Sequence, residues 1–263
     1  MAVVAIVGCS SARGTDKEPS LVPSSVANGL TTRSATAPPG FDVPGAQWIS
    51  IDRPDGHTQL AAIFVPAGPG PFPTVVYLHG VSGLGRTQLQ WLPRLADAGY
   101  LVLAGCYLDA ADPTAYLPCD GLPPNDPMDV TNTLNGYDAL VRTAHGLGAA
   151  RPGPVGIVGV SFGAEVALGV ADESVGAIVA DSGYGPGPSA VGDAPVLLLG
   201  LTDDPRVPHD EVVAYEAAMV AAGKPIESHY YAGTGHVATI VPTTADEAIG
   251  RTIAFLGQHL KER

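Results

Sequence analysis

One serine in the sequence stands in a context that suits nucleophilic catalysis. Ser161 is the centre of the pentapeptide Gly159–Gly163, a G-x-S-x-G pattern that directly follows the apolar run VGIVGV and opens a helical segment. This is the context of a nucleophile elbow, a strained strand-to-helix turn that lifts the serine hydroxyl clear of the sheet. The sequence therefore predicts that Ser161 is a nucleophile, the alternative being a tight turn whose serine has no catalytic role.

A serine hydroxyl becomes a good nucleophile only when a base takes its proton. His236, in the segment AGTGH, follows a predicted strand, and its flanking glycines allow a sharp loop towards the edge of the sheet. We therefore predict that His236 is the base. The remaining histidines are predicted to be surface or packing residues: His57, His79, His145, His209, His229 and His259.

The base in turn needs an acid that orients its ring and stabilises the imidazolium ion. Asp204 lies in the segment GLTDDPRVP, directly after the buried run VLLLGL, so it is predicted to lie in the loop at that strand's end. Two rivals remain: Asp203, which suits a turn or capping role, and Asp181, which ends the preceding apolar run VGAIVAD.

Two backbone N–H groups are predicted to form an oxyanion hole. One belongs to Phe162, the residue after the nucleophile. The other is assigned to Val81 in the glycine-containing segment HGVSG, which follows the apolar run TVVYLH and whose glycines allow a substrate to approach closely. His79 is predicted to brace this loop.

Alternating strands and helices are predicted to position these residues. Trp48–Asp52 and Gln59–Val65 have the pattern of a hairpin, and five nearly continuous apolar runs are typical of strands buried on both faces of a parallel sheet. These runs, with one further strand, are Thr74–His79, Leu101–Cys106, Val155–Val160, Val175–Ala180, Val196–Leu201 and Glu227–Tyr231. The predicted helices are Thr87–Ala98, Asp129–His145, Phe162–Ala171, Asp210–Ala222 and Thr243–Leu260, the last with Thr244 as its N-cap. The alternation predicts an α/β fold, a mostly parallel sheet with helices on both faces.

The series of motifs resembles the α/β-hydrolase superfamily. A strand followed by HG, then G-x-S-x-G, then G-x(3)-D-P-x-V-P, then G-x-G-H, gives the order Ser161, Asp204, His236, which is the order of that superfamily. The short connection after VGAIVA, with no large lid, looks most like the dienelactone hydrolase-like branch, although that branch usually carries a cysteine nucleophile. The resemblance implies hydrolysis of a carboxylic ester through an acyl-enzyme, without metal or cofactor.

The first 45 residues are predicted to be a signal remnant and flexible linker, and residues 46–263 the hydrolase domain. The segment Ile6–Cys9 resembles the lipobox of bacterial lipoproteins, which implies a lipid on Cys9 and an extracytoplasmic, membrane-anchored enzyme, the alternative being a cytoplasmic one. If Cys9 is lipidated, Cys106 and Cys119 remain as an even pair that suits a disulfide in an oxidising compartment.

The composition and the motifs limit the classes of partner that the protein is expected to bind. The formal net charge of −13 and the absence of any run of Lys or Arg argue against nucleic acid. No metal-binding or dinucleotide-binding motif is present in the sequence. Small or short-chain esters are the expected substrates. Arg86 or Arg206 is a candidate to bind a substrate carboxylate, and the Pro-rich segment Tyr107–Pro127 is expected to overhang the cleft.

Within that segment, three side chains are available for apolar contact with substrate: Tyr107, Tyr116 and Leu117. The same triad would also serve acyl transfer or peptide-bond cleavage. A catalytically silent hydrolase fold that acts as a binding module is the alternative from another class of function.

Overall fold

A computed structural model of the 263-residue chain describes residues 29–108, 119, 121 and 128–261. Cys9, Tyr116 and Leu117 lie outside the described residues. The described residues form one nine-stranded sheet in the order β1-β2-β3-β5-β4-β6-β7-β8-β9. Its strands are β1 (Thr31–Ala35), β2 (Gln47–Asp52), β3 (Thr58–Phe64), β4 (Thr74–Leu78), β5 (Leu101–Gly105), β6 (Val155–Val160), β7 (Val175–Asp181), β8 (Val196–Asp203) and β9 (Ile226–Thr234).

Strands β4 to β9 pair in parallel, as predicted, whereas β1, β2 and β3 pair antiparallel with their neighbours. Every residue of β4, β5, β6 and β7 is buried, which is why these strands consist of continuous apolar runs. Because all six parallel strands run the same way, their carboxyl ends meet at one edge of the sheet.

Helices cover both faces of the sheet, as predicted. They are α1 (Arg86–Trp91), α2 (Pro93–Asp97), α3 (Val130–Gly146), α4 (Phe162–Gly169), α5 (His209–Ala221) and α6 (Ala245–Leu256), with a 3₁₀ turn at Pro188–Ala190 and a π-helical turn at Gly257–Lys261. Successive strand residues alternate between two apolar cores. Val76 and Leu78 belong to the core that contains residues of α3, α4 and α5, and Val75 and Tyr77 belong to the core that contains residues of α1, α2 and α6.

Two predicted helices differ in detail from the structure. The helix predicted over Thr87–Ala98 is divided into α1 and α2 because Pro93, at the first position of α2, has no N–H with which to continue α1. Thr244 does stand at the N-cap position of α6, but its hydroxyl donates to the carbonyl of Ala238 at 2.7 Å and does not cap the helix.

The predicted linker contains a strand of the sheet. Strand β1, with the sequence TTRSA, pairs with β2 along its whole length, so the predicted start of the domain at residue 46 is too late. The strand lies at the sheet edge and buries only Thr32, and such a polar strand leaves no apolar pattern in the sequence. Within the residues that the structure describes, no helix is long and apolar enough to cross a membrane.

Candidate active site

Ser161 lies at a strained turn between β6 and α4. Its φ of 53° and ψ of −124° are a conformation that residues other than glycine rarely adopt. The flanking glycines are required by close backbone contacts: a Cβ on Gly159 would lie 2.3 Å from the carbonyl oxygen of Gly163, and a Cβ on Gly163 would lie 2.2 Å from that of Leu78. The predicted nucleophile elbow is therefore the observed conformation.

The structure brings the three predicted site residues together at the carboxyl edge of the sheet. Nε2 of His236 lies 2.8 Å from Oγ of Ser161, and Nδ1 of His236 lies 2.8 Å from Oδ2 of Asp204. The side chain of Asp204 is only 2% exposed and that of His236 is 18% exposed, so the carboxylate is shielded from water while the imidazole is partly accessible. Ser161 and His236 are 75 positions apart in sequence.

The loop after β8 fixes the carboxylate of Asp204. Its Oδ1 accepts the backbone N–H groups of Arg206, at 2.8 Å, and Val207, at 3.1 Å. Asp203, one of its sequence rivals, is an exposed residue at the end of β8. Asp204 is thus the carboxylate that contacts His236.

Asp181, the other rival, has a different set of partners. It is fully buried at the end of β7, and its carboxylate accepts the backbone N–H groups of Ala238 and Thr239, both at 2.8 Å. Burial raises the pKa of the Asp181 carboxyl, although the hydrogen bonds from Thr239 and Ala238 act in the opposite direction. Asp181 therefore contacts the loop that carries His236, which the sequence patterns did not indicate.

The predicted oxyanion loop, residues 79–83, adjoins Ser161. A Cβ on Gly80 would lie 3.1 Å from the Cβ of Ser161, so only glycine allows this approach without a shift. The N–H of Gly83 donates to the carbonyl of Gly80 at 3.0 Å, which closes a turn with Val81 and Ser82 at its centre. Phe162 begins α4, and the first N–H groups of a helix have no partner within the helix.

His79 holds this loop by a hydrogen bond from its ring, as predicted. Its ring is fully buried, and Nδ1 lies 2.8 Å from the carbonyl oxygen of Gly80, which only a protonated Nδ1 can bond. Desolvation by burial lowers the pKa of His79 to about 4. The hydroxyl of Tyr107 donates to the carbonyl of His79 at 2.7 Å, and the two rings lie 4.7 Å apart.

The prediction that Tyr107 contacts substrate is wrong. The residue is 1% exposed and takes part in the support of the His79 backbone. An aromatic residue at the start of a Pro-rich segment suggested a cleft position. The chain is still inside the fold at this point, since Leu108 is also 1% exposed.

Cys106 and Cys119 form the predicted disulfide. The carbonyl of Cys119 accepts the N–H of Leu84 at 3.0 Å, directly after the turn formed by residues 80–83. Gly121 packs against the same turn so closely that a Cβ there would lie 2.5 Å from the carbonyl carbon of Ser82. The disulfide therefore anchors residues that contact the turn formed by residues 80–83, a contact that no sequence pattern indicated.

The two arginines proposed for substrate binding are both exposed. Nη1 of Arg86 donates to the carbonyl of Gly40 at 3.3 Å, which ties it to the N-terminal segment of the fold. The backbone N–H of Arg206 is bonded to Asp204. Their role towards a substrate carboxylate stays a prediction. In the described ranges, no group of three or more His, Cys, Asp or Glu residues is arranged to hold a metal ion.

The parallel sheet and the strained serine turn define an α/β-hydrolase. The family model of the dienelactone hydrolase family matches residues 60–259, and the chain belongs to that family. Among solved structures, the Pyrococcus furiosus esterase Pf2001 superposes with a TM-score of 0.64 at 17% identity, covering 82% of this chain and 93% of that one.

Two curated relatives are named for acyl-coenzyme A chemistry. The bile acid-CoA:amino acid N-acyltransferase of Mus musculus is 32% identical over 180 residues, which are 67% of this chain and 38% of that protein. The mitochondrial acyl-coenzyme A thioesterase 2 of Rattus norvegicus is 30% identical over 131 residues, which are 50% of this chain and 25% of that protein. The chain spans less than half the length of these curated relatives.

Proposed function

We propose that the enzyme hydrolyses carboxylic esters through an acyl-enzyme on Ser161, with His236 as general base and Asp204 as the orienting acid. The observation that carries this proposal is the continuous hydrogen-bonded chain from Asp204 through His236 to Ser161, with both links at 2.8 Å. Nucleophile and base within hydrogen-bond distance, with a third group that orients the base, is the arrangement that activates a serine.

The hydrogen bonds determine which ring nitrogen carries the proton. An ionised carboxylate only accepts hydrogen bonds, so Nδ1 of His236 donates to Asp204 and Nε2 presents its lone pair to Ser161. In the proposed reaction Nε2 takes the hydroxyl proton as Oγ attacks the ester carbonyl. The resulting imidazolium then protonates the leaving alcohol. Water activated by the same nitrogen releases the acid and restores the free serine.

The N–H groups of Val81 and Phe162 stabilise the oxyanion in this proposal. The close approach of Gly80 to Ser161 and the position of Phe162 at the start of α4 support it. Removing one donor of such a pair typically lowers kcat by about 10² to 10³. Val81 is 42% exposed, so this loop borders solvent.

The proposed substrates are small or short-chain esters. The connection between β7 and β8, residues 182–195, contains only a 3₁₀ turn, so no lid lies there over the edge of the sheet. A site without such a cover offers little apolar surface to a long acyl chain. We therefore expect the ratio kcat/KM to be highest for acetyl and butyryl esters and to fall with longer acyl chains.

A panel of p-nitrophenyl esters, run together with a fluorophosphonate probe, tests the proposal. Wild-type enzyme should hydrolyse the short esters and be labelled at one serine, while Ser161→Ala should lose both properties. Ser189→Ala, which changes an exposed serine of the 3₁₀ turn, is the matched control and should retain both. Labelling or turnover that persists in Ser161→Ala would contradict the proposed nucleophile. A folded wild-type protein that is never labelled would favour the catalytically silent binding module.

Acyl transfer from a thioester is the second candidate, and the names of the two curated relatives favour it. The same acyl-enzyme would form from a thioester, with a thiol as the leaving group in place of the alcohol. An amine would then accept the acyl group in place of water. The panel should therefore include matched acyl thioesters, amine acceptors and acyl-peptide substrates. Preference for thioesters with product formed on the amine would favour the transferase, and cleavage of the acyl-peptides would favour a peptidase.

We further propose an extracytoplasmic enzyme anchored by a lipid on Cys9. The lipobox resemblance of Ile6–Cys9 and the disulfide between Cys106 and Cys119, a bond suited to oxidising compartments, support this location. Mass spectrometry of the membrane fraction should find a lipidated Cys9 at the new N-terminus. An intact Met1 with an unmodified Cys9 would contradict the anchor.

A further inference from the structure

Asp181 ends β7, the strand that lies between the strand of the nucleophile and the strand of the acid. Its buried carboxylate accepts four hydrogen bonds. Oδ1 accepts the N–H of Ala238 at 2.8 Å and the hydroxyl of Ser182 at 3.2 Å, while Oδ2 accepts the N–H and the hydroxyl of Thr239, at 2.8 and 2.7 Å. Three of these four donors belong to the two residues that lie just beyond His236 and its neighbour Val237.

The backbone of Asp181 also holds the nucleophile. Its carbonyl oxygen accepts the N–H of Ser161 at 2.8 Å. A single residue thus bonds both loops whose side chains must meet, the serine turn through its carbonyl and the histidine loop through its carboxylate. The distance between Ser161 and His236 is set in part by this one residue.

The histidine loop needs such support because its conformation is unfavourable on its own. Val237 has a φ of 70°, an outlier for a β-branched residue, and such a residue persists only where the surroundings hold it. The N–H of Val237 donates to the hydroxyl of Ser182 at 3.0 Å. Asp181 and Ser182 together therefore bond the three consecutive backbone N–H groups that follow His236.

We propose that Asp181 is a positioning residue that holds the imidazole of His236 against Ser161 by clamping the backbone of residues 237–239. The inference rests on the proposed function, since it assigns a role in aligning that base. A competing account gives the carboxylate a structural role only, the pairing of buried N–H groups. The two accounts differ in what happens to turnover in molecules that are correctly folded.

Asp181→Asn is the informative substitution because the amide has the shape of the carboxylate. The best placement of the amide oxygen is at the Oδ2 position, where it accepts both donors of Thr239. The amide NH₂ then faces the N–H of Ala238, two donors meet, and the loop must shift. Misplacement by about 1 Å costs about 10²-fold in rate. We expect kcat to fall about 10- to 100-fold per site titrated with a fluorophosphonate, with KM within threefold of wild type.

Ile49→Ala provides the matched control for stability alone. Ile49 is fully buried in β2, in the antiparallel part of the sheet, and its truncation should lower Tm while kcat per titrated site stays within twofold of wild type. A value of kcat in Asp181→Asn within threefold of wild type, or an equal loss in Ile49→Ala, would overturn the inference. If wild-type enzyme is not labelled at Ser161, the proposed function fails and this inference fails with it.

Thr239 supplies a second test should Asp181→Asn not fold. Thr239→Val removes the hydroxyl donor and keeps the shape of the side chain, so kcat should fall severalfold without a change in KM. Thr239→Ser retains the hydroxyl and should restore kcat to within twofold of wild type. Equal kcat values for the valine and serine variants would overturn the inference.

Discussion

Asp204→Asn should leave the fold intact and reverse the hydrogen bonds of the base. Oδ1 of Asp204 is fixed by the N–H groups of Arg206 and Val207, so the amide oxygen of the variant must take that position. The NH₂ group then replaces Oδ2, 2.8 Å from Nδ1 of His236. This NH₂ is a donor and lies closer to Nδ1 than the amide oxygen does, which takes the Oδ1 position 3.1 Å away. We therefore expect Nδ1 to accept and the ring proton to move to Nε2.

In this tautomer His236 has no lone pair directed at the hydroxyl proton of Ser161. With Nε2 protonated, His236 donates to Oγ of Ser161, 2.8 Å away, and cannot take the hydroxyl proton. A triad aspartate changed in this way in a serine protease lowers kcat by about 10⁴, which corresponds to about 5.4 kcal/mol in the barrier. We expect a loss of this order here, since the two backbone N–H groups at Oδ1 favour the amide orientation that places NH₂ towards Nδ1.

The assay is kcat on p-nitrophenyl acetate, with Tm measured on the same samples. Asp203→Asn is the matched control, since it makes the same chemical change at the exposed neighbouring position, and its kcat should stay within twofold of wild type. Asp204→Asn with kcat within tenfold of wild type would refute the assignment of the tautomer. So would an equal loss in Asp203→Asn.

Three further outcomes are expected. His79, whose pKa is lowered from 6.5 to about 4, should make the free energy of unfolding fall by about 3 kcal/mol as pH drops from 6.5 to 4, because the unfolded state binds the proton first; His79→Asn should lose this slope in urea titrations. Gly163→Ala should destabilise the fold by about 1–3 kcal/mol and abolish turnover, since its Cβ would lie 2.2 Å from a backbone oxygen, whereas Gly250→Ala, in open space on α6, should stabilise it by about 0.5–1 kcal/mol; equal Tm shifts would contradict this. Reduction of the bond between Cys106 and Cys119 should lower the free energy of unfolding by about 3 kcal/mol and kcat severalfold, and a variant with serine at both positions should not respond to the reductant.

The contact among Ser161, Asp204 and His236 was predictable because each residue follows a predicted strand, and the first two follow buried apolar runs. Ser161, Asp204 and His236 come after β6, β8 and β9, and the carboxyl ends of parallel strands share one edge. The structure places Asp204 in contact with His236, whereas Asp181 contacts Ala238 and Thr239. The positions of the two aspartates relative to the strand ends are similar, and only the loop geometry after β8 separates them.

The residues that hold the site's loops in place could not be predicted in the same way. The carboxylate of Asp181 pairs with backbone N–H groups, which every residue has, so no residue type marks its partners. The contact of Gly121 with Val81 and Ser82 likewise involves backbone atoms. Strand β1 was not predicted because it is a polar edge strand. Hydrogen bonds to β2, rather than burial of apolar side chains, hold it in the sheet.

The strand order has a consequence for how the enzyme matures. The hairpin of β2 and β3 joins near neighbours in the chain, but β4 is inserted between β5 and β6, and the reacting groups of Ser161 and His236 come from segments 75 positions apart. Contacts between residues so far apart in sequence form slowly, because the chain must lose the entropy of closing a long loop before the contacts stabilise it. During refolding from urea, circular dichroism should therefore recover before hydrolytic competence. The time course of recovered ester hydrolysis would then report when the native strand order is complete.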